Sequence, residues 1–434
     1  MFRPTGFADL AGRRVGIFGY GVEGRAAASR LRAHVELVIV DDLDDLGPDV
    51  IASGQGGLEA LLTCDVVLKS PGIPRRREDV VDLERRGVVV TSALNLWLHD
   101  TDPSRVVAIT GTKGKSTTTA LVAFFLGCLG ERAQTLGNIG LPPYDPAVDT
   151  TEGWLVLEVS SFQATDLDTA PGVIVITSLG DDHVDWHGSL EQYRRDKLSL
   201  TRAAGSHVTL VADTPVLRQL KSEIGGELHY VPGDASHLAA ALGLIGAHND
   251  SNVALALAAV ASLTGSAADD LRAAVAARAG SFQPLPGRLT LVAAEELNGD
   301  TIRYVDDGLA TSVLPALAAL EVFEGEPVAL IAGGFDRGVE YVELANAIAE
   351  RREPTALVTM GNAGSRISQL VSSRRSELVQ HTAGSMAEAV LLARSSLVHG
   401  GVVLLSPAAP SFDRYRNWEE RSKDFAAVVH AIVD

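Results

Sequence analysis

Val106-Val-Ala-Ile-Thr-Gly-Thr-Lys-Gly-Lys-Ser-Thr-Thr-Thr-Ala-Leu121 reads as a strand that runs into a glycine turn and then a helix. Val106 to Ile109 form a short apolar run rich in β-branched residues, as a buried strand requires. Gly111 and Gly114 permit a tight turn and let the backbone approach a ligand without Cβ obstruction. The N–H groups of such a loop, and of the helix start behind it, attract phosphate oxygens. Lys115 adds a cation for β/γ-phosphates, and the Ser116 hydroxyl can ligate Mg²⁺. In Gly111-x-x-Gly114-Lys115-Ser116 the first glycine comes later than in the general G-x-x-x-x-G-K-[ST] pattern. An ordinary glycine turn is the alternative, but a lysine and a hydroxyl at a helix start add nothing to packing. An ATP or GTP site is expected.

On the C-terminal side, Trp154 to Val159 and Val173 to Thr177 read as the next strands. The first carries Glu158, followed by Ser160-Ser-Phe-Gln163, and the second leads to Asp181-Asp-His-Val-Asp-Trp-His187. A carboxylate and an imidazole at strand ends beside a phosphate loop are placed to hold Mg²⁺, and a second ion if more oxygens converge. Gln192 to Leu200 reads as a helix bearing Lys197. Asn249 and Asn252, three apart at the start of the apolar helix Val253 to Leu263, cap that helix or contact a nucleotide.

On the N-terminal side, Arg14 to Phe18 is a strand followed by Gly19-Tyr-Gly21-Val-Glu-Gly24, a G-x-G-x-x-G turn in a βαβ setting. The strand Val35 to Val40 ends in Asp41-Asp42. Alone, this pair predicts a dinucleotide on its ribose, and thus an NAD(P)-dependent oxidoreductase, although other phosphate ligands use such turns. The strand Asp65 to Leu68 leads to Lys69-Ser-Pro-Gly-Ile-Pro74, which makes Ser70 and the Gly72 turn contacts for a sugar or diphosphate, or else a plain turn. Arg75-Arg-Arg77 reads as a solvated turn. Beyond the Pro-rich joint Ser281 to Gly287 comes Arg288, and then three strands: Thr301 to Val305, Val328 to Ala332 and Val402 to Leu405. They deliver Asp306-Asp307-Gly-Leu-Ala-Thr311, Gly333-Gly-Phe-Asp-Arg337 and Ser406-Pro-Ala-Ala-Pro-Ser411 to one edge.

The chain of 434 residues is too long for one core, and its 46% apolar and 21% charged content is that of a globular protein. A net charge of −18 without a basic stripe speaks against a nucleic-acid partner. Cys64 and Cys128 lie in apolar stretches and suggest a reducing compartment. No signal-type segment is evident and no run reaches the roughly 18 apolar residues of a membrane helix. A cytoplasmic protein without membrane partners is expected.

Taken together, the motifs resemble the Mur ligases, and among them the MurD type that adds glutamate to UDP-N-acetylmuramoyl-L-alanine in peptidoglycan synthesis. The motifs are Gly111 to Ser116, Gly137-Asn-Ile-Gly140, Glu158 to Gln163, Asp182-His183, Tyr193-Arg-Arg-Asp-Lys197, His248-Asn-Asp-Ser-Asn252 and Leu405-Ser-Pro-Ala408. The resemblance implies three α/β domains: a Rossmann-like UDP-binding domain (1–98), a central P-loop ATPase with a mostly parallel sheet (99–285) and a Rossmann-like C-terminal domain (286–434). It implies a monomeric, ATP-dependent amide-forming ligase that works through an acyl phosphate, with Lys115, His183 and Lys197 catalytic. Ser116, Glu158, His183 and Lys197 would hold Mg²⁺, two ions being expected, with Lys197 carbamylated. ATP would meet Gly111, Thr112, Lys113, Gly114, Lys115, Ser116, Thr117, Asn249, Asn252, Arg288 and Asp307. The UDP substrate would meet Gly21, Val22, Asp41, Ser70, Asn138 and His183, which replaces the NAD(P) reading.

Glutamate would meet Thr311, Arg337, Ser411 and Trp418. Here the chain departs from the usual pattern. Leu309 stands where a lysine is common, Trp418 where Phe is common, and Arg337 where a lysine is usual. Arg337 still offers a bidentate cation for a carboxylate. The departures look more like the branch that adds L-glutamate, with D-glutamate as the alternative. A folylpolyglutamate-synthase-like ligase and a non-catalytic nucleotide-binding module are the remaining competitors.

Overall fold

The computed structural model describes residues 2–180, 184–297 and 299–433. Three sheets follow one another along the chain. The first comprises β1 (Arg14–Phe18), β2 (Glu36–Asp41), β3 (Val50–Ala52), β4 (Val66–Lys69) and β5 (Val89–Thr91), in the order β3-β2-β1-β4-β5. The second comprises β6 (Val106–Thr110), β7 (Ala133–Gly137), β8 (Trp154–Glu158), β9 (Val173–Ile176), β10 (Val208–Ala212) and β11 (Glu227–Val231). Its order is β11-β10-β9-β6-β8-β7. In both sheets every pairing is parallel.

The third sheet comprises β12 (Thr290–Leu297), β13 (Asp300–Asp306), β14 (Val328–Gly333), β15 (Thr355–Met360), β16 (Val379–Thr382) and β17 (Gly401–Leu405), in the order β12-β13-β17-β14-β15-β16. Only the β12–β13 pair is antiparallel. Strands buried on both faces read as unbroken apolar runs, and all of β6 and all of β14 are buried.

The chain forms two compact units, residues 1–235 with 250–278 and residues 236–249 with 279–434. In the first, one apolar cluster runs from Val15 and Ile17 through Leu94, Leu96 and Trp97 to Val106, Ala108 and Leu157. The helix Ala93–Asp100 buries most of its residues in that cluster and so joins the first sheet to the second. In the second unit, apolar clusters cover both faces of the third sheet, one around Leu344 and Ile367, the other around Val390 and Phe425.

One expectation is extended and one corrected. Arg75, Arg76 and Arg77 stand in a turn with Arg76 exposed, and each guanidinium is also held by a carboxylate. The helix expected over Val253 to Leu263 begins five residues earlier, at His248, and ends at Thr264. Asn249 therefore stands in its first turn, with Nδ2 donating to Ile245 O at 2.8 Å, and does not cap it. No described helix is long and apolar enough to cross a membrane.

Candidate active site

The phosphate loop leaves β6 with Gly111 at φ 146° and Gly114 at φ 88°. A Cβ on Gly111 would lie 2.1 Å from Thr177 Oγ1, and one on Gly114 would lie 2.4 Å from Asn252 Oδ1. Thr177 and Ser178, just beyond β9, brace the loop. Thr177 Oγ1 donates to Lys113 O at 2.5 Å, and Lys113 N donates to Ser178 Oγ at 2.8 Å. Neither residue stood out in the sequence, although both fall where a parallel strand ends beside the loop. Lys115 opens the helix Lys115–Cys128, and its Nζ lies 3.0 Å from Gly111 O and 3.2 Å from Thr112 O.

Lys197 is buried on the helix Leu190–Leu198, and its Nζ donates to Gly111 O at 2.9 Å. Tyr193, one turn earlier, shares a 2.8 Å hydrogen bond with Thr112 Oγ1. The helical lysine and the phosphate loop, separate in sequence, are thus in direct contact. Glu158 ends β8 with 1% exposure. Its Oε1 accepts from Asn138 Nδ2 at 2.6 Å, whereas its buried Oε2 has no hydrogen-bond partner among the described residues. An orphaned carboxylate oxygen beside a phosphate loop and a buried Ser116 fits a divalent cation, which prefers oxygen donors. His183, expected as a further ligand, lies outside the described residues.

Around the first sheet, the glycine turn is closely packed. A Cβ on Gly24 would lie 2.0 Å from Gly19 O, while Gly21 faces open space at the start of the helix Val22–Leu31. Val22 is exposed. Asp41 accepts from Tyr20 N at 2.5 Å and Leu43 N at 2.9 Å, which shapes the turn. Ser70 Oγ donates to Gly19 O at 2.7 Å. The loop after β4 is thereby fastened to the loop after β1. Half-buried Glu23 accepts from Tyr144 OH at 2.8 Å and Gln163 Nε2 at 2.7 Å, and desolvation pushes its carboxyl up. Asn252 Oδ1 accepts from Thr118 Oγ1 at 3.3 Å on the helix behind the phosphate loop.

In the second unit the loops at the carboxyl ends of β13 and β17 are pinned by the strand-end acids together with Ser422 and Arg421, which the sequence reading passed over. Asp306 accepts from Gly308 N, Ser422 Oγ and Gly287 N at 2.8, 3.0 and 3.0 Å. Arg421 donates to Ala409 O and Gly308 O, both at 3.0 Å, and burial pushes its guanidinium down to about 10. Asp307 accepts from Ser406 Oγ at 2.8 Å, and burial pushes its carboxyl up to about 7. Arg288 lies in the same junction. Ser411 is buried, with its Oγ unpartnered among the described residues. Thr311 is half-buried and donates its N–H to Leu309 O at 2.8 Å. Arg337 is exposed and stands 5.7 Å over the Phe412 ring. Trp418 lies against Gly287, where a Cβ would come within 2.6 Å of its ring and 3.1 Å of Leu309 N. Paired strand-end acids such as Asp306-Asp307 were the legible signal here; Arg421, inside the helix Trp418–Val433, gave none.

Comparison with known proteins bears on both units. The family model described as Mur ligase middle domain matches residues 109–231. A UDP-N-acetylmuramoyl-L-alanine–L-glutamate ligase of Salinispora tropica is 36% identical over 458 aligned residues, covering 97% of this chain and 98% of that protein. One from a Micromonospora species is 37% identical, covering 97% of each. The crystal structure of MurF from Acinetobacter baumannii shares the fold, with a TM-score of 0.55 at 13% identity, covering 95% of this chain and 93% of that one.

Proposed function

The chain belongs to the Mur ligase family, and from that membership we infer that it is an ATP-dependent ligase joining L-glutamate to UDP-N-acetylmuramoyl-L-alanine in peptidoglycan precursor synthesis. The observation that carries the reading is the contact of Lys197 Nζ with Gly111 O, together with a buried Glu158 oxygen that lacks a partner among the described residues. Ser116, Glu158, His183 and Lys197, the last as its carbamate, would hold two Mg²⁺ ions, which supply positive charge to the phosphate oxygens. Gly111 to Thr117 and Asn252 of the first unit are assigned to ATP, and so, in the second unit, are Asn249, Arg288 and Asp307. Gly21, Val22, Asp41, Ser70 and Asn138 take the UDP sugar.

The substrate carboxylate attacks the γ-phosphorus, the bond to the β–γ bridging oxygen breaks, and ADP leaves. Lys115 and the helix N-terminus offset the charge that builds on the transferring group. The glutamate amine then attacks the acyl carbon, loses a proton, and phosphate departs from the tetrahedral intermediate. Arg337, Thr311 and the unpartnered Ser411 hydroxyl receive the glutamate carboxylates, with Trp418 as the apolar wall. The enzyme is proposed to act as a monomer in the cytoplasm.

Phosphate release with ATP, Mg²⁺ and UDP-N-acetylmuramoyl-L-alanine, measured separately with L- and D-glutamate, tests the reading. Turnover with L-glutamate is expected. Turnover with D-glutamate alone overturns the stereochemistry, and turnover with neither overturns the substrate assignment.

A further inference from the structure

The loop that follows β4 reaches the helix bearing Lys197. Arg76 NH1 lies 3.1 Å from Asp196 Oδ2, and its NH2 donates to His187 O at 2.8 Å. From the same loop, Gly72 O accepts from Trp186 Nε1 at 2.9 Å. Asp196, immediately before Lys197, is held on every side. Its Oδ1 accepts from Gln192 Nε2 at 2.7 Å and its Oδ2 from His187 Nδ1 at 2.7 Å. Burial pushes the His187 imidazole below its ordinary value, toward the neutral form. With Nδ1–H donated to Asp196, Nε2 accepts from Ser161 Oγ at 3.0 Å. The ring packs edge-on against Tyr193 at 5.1 Å, and Tyr193 OH meets Thr112 of the phosphate loop.

Ser161, His187 and Asp196 have the connectivity of a nucleophile triad, but Ser161 is 3% and His187 1% exposed, so no substrate reaches the hydroxyl. An arrangement this closed serves geometry. We propose that Arg76, Asp196 and His187 are positioning residues for Lys197. The ion pair from the β4 loop fixes the last turns of Leu190–Leu198, and so fixes where the Lys197 amine stands against Gly111. The proposal rests on the ligase reading for what Lys197 does. A misplacement near 1 Å at a reacting centre costs up to about a hundredfold in rate.

The test uses the full chain with Arg76→Gln, Asp196→Asn, the double variant, and Arg76→Lys, which keeps a cation. Expected is a kcat roughly tenfold to a hundredfold lower in each of the first two, with the KM for glutamate unchanged within about twofold. The double variant is no slower than the slower single one, because both break the same contact, and Arg76→Lys recovers part of the rate. Additive losses, a kcat within about twofold of the parent for Arg76→Gln, or a glutamate KM that rises with the loss overturn the proposal. Amide hydrogen exchange gives a readout without turnover: Arg76→Gln speeds exchange over 193–198 and 111–116, and unchanged exchange there overturns the proposal. A parent enzyme that turns over with neither glutamate, yet shows this exchange response, overturns the substrate assignment and leaves the positioning contact standing.

Discussion

Gly111 and Asp307 show how much one residue decides. With φ at 146° and Thr177 Oγ1 2.1 Å from a would-be Cβ, Gly111 tolerates no side chain. Gly111→Ala is expected to cost about 1–3 kcal/mol of stability. It should also weaken binding of a non-hydrolysable ATP analogue at least tenfold by calorimetry, and unchanged affinity would show that the loop does not cradle phosphate. Asp307 has the opposite sensitivity, to pH. Its carboxyl is raised by burial to about 7, so the folded state favours the protonated acid. That stability is full below the unfolded value near 4 and is lost as pH rises through 7. Asp307→Asn keeps an acceptor for Ser406 and has no proton to lose. Thermal unfolding should show the variant gaining on the parent between pH 5.5 and 8, and an identical gap at both pH values would refute the assignment. Lys115 and Ser116 stood out in the sequence because their local motif has no packing purpose. Asn138 did not, since its partner Glu158 lies 20 residues away.

Strands were more legible than the loops between them. A parallel strand covered on both faces must be apolar throughout, so β6, β9 and β14 are visible as runs, with ends displaced by about one residue. Loops carry their meaning in partners that sequence distance hides. Arg75 to Arg77 look like a solvated charge run, and only the fold reveals Asp166, Asp196 and Asp42 facing them. The junction before β12 has the same character. Gly287 sits at φ 70°, accepts from Leu309 N at 3.1 Å and leaves room for Trp418 by lacking a Cβ. Gly287→Ala should therefore displace the first turn of Trp418–Val433, raising the KM for glutamate severalfold and lowering the unfolding midpoint of that unit. Adding Trp418→Phe should restore part of both, because the smaller ring withdraws the contact. Independent, additive effects in the double variant would mean that the two residues do not share that space.

At the scale of the molecule, a net charge of −18 must coexist with anionic substrates. The cations proposed to receive them are accordingly local: Lys115 at the phosphate loop and Arg337 on the edge of the third sheet. The first unit shows how such sites are held steady. Its two sheets share one apolar cluster, and across them Lys69 Nζ meets Asp166 Oδ2 at 2.7 Å with neither side chain exposed. Arg75 Nε adds a 3.1 Å contact to Asp166 Oδ1. Burial pushes the lysine down and the carboxyl up, while each opposes the shift of the other. Removing one partner of such a pair strands the other, at about 3–5 kcal/mol. Lys69→Ala should therefore lower the opening free energy of β1 and β6 amides in native-state hydrogen exchange by the same amount, about 3–5 kcal/mol. Replacing both partners, Lys69→Met with Asp166→Leu, should recover most of it, since no buried charge then lacks its counterpart. A loss confined to β1 would mean that the first and second sheets open separately. The shared cluster and the buried pair argue that they open together.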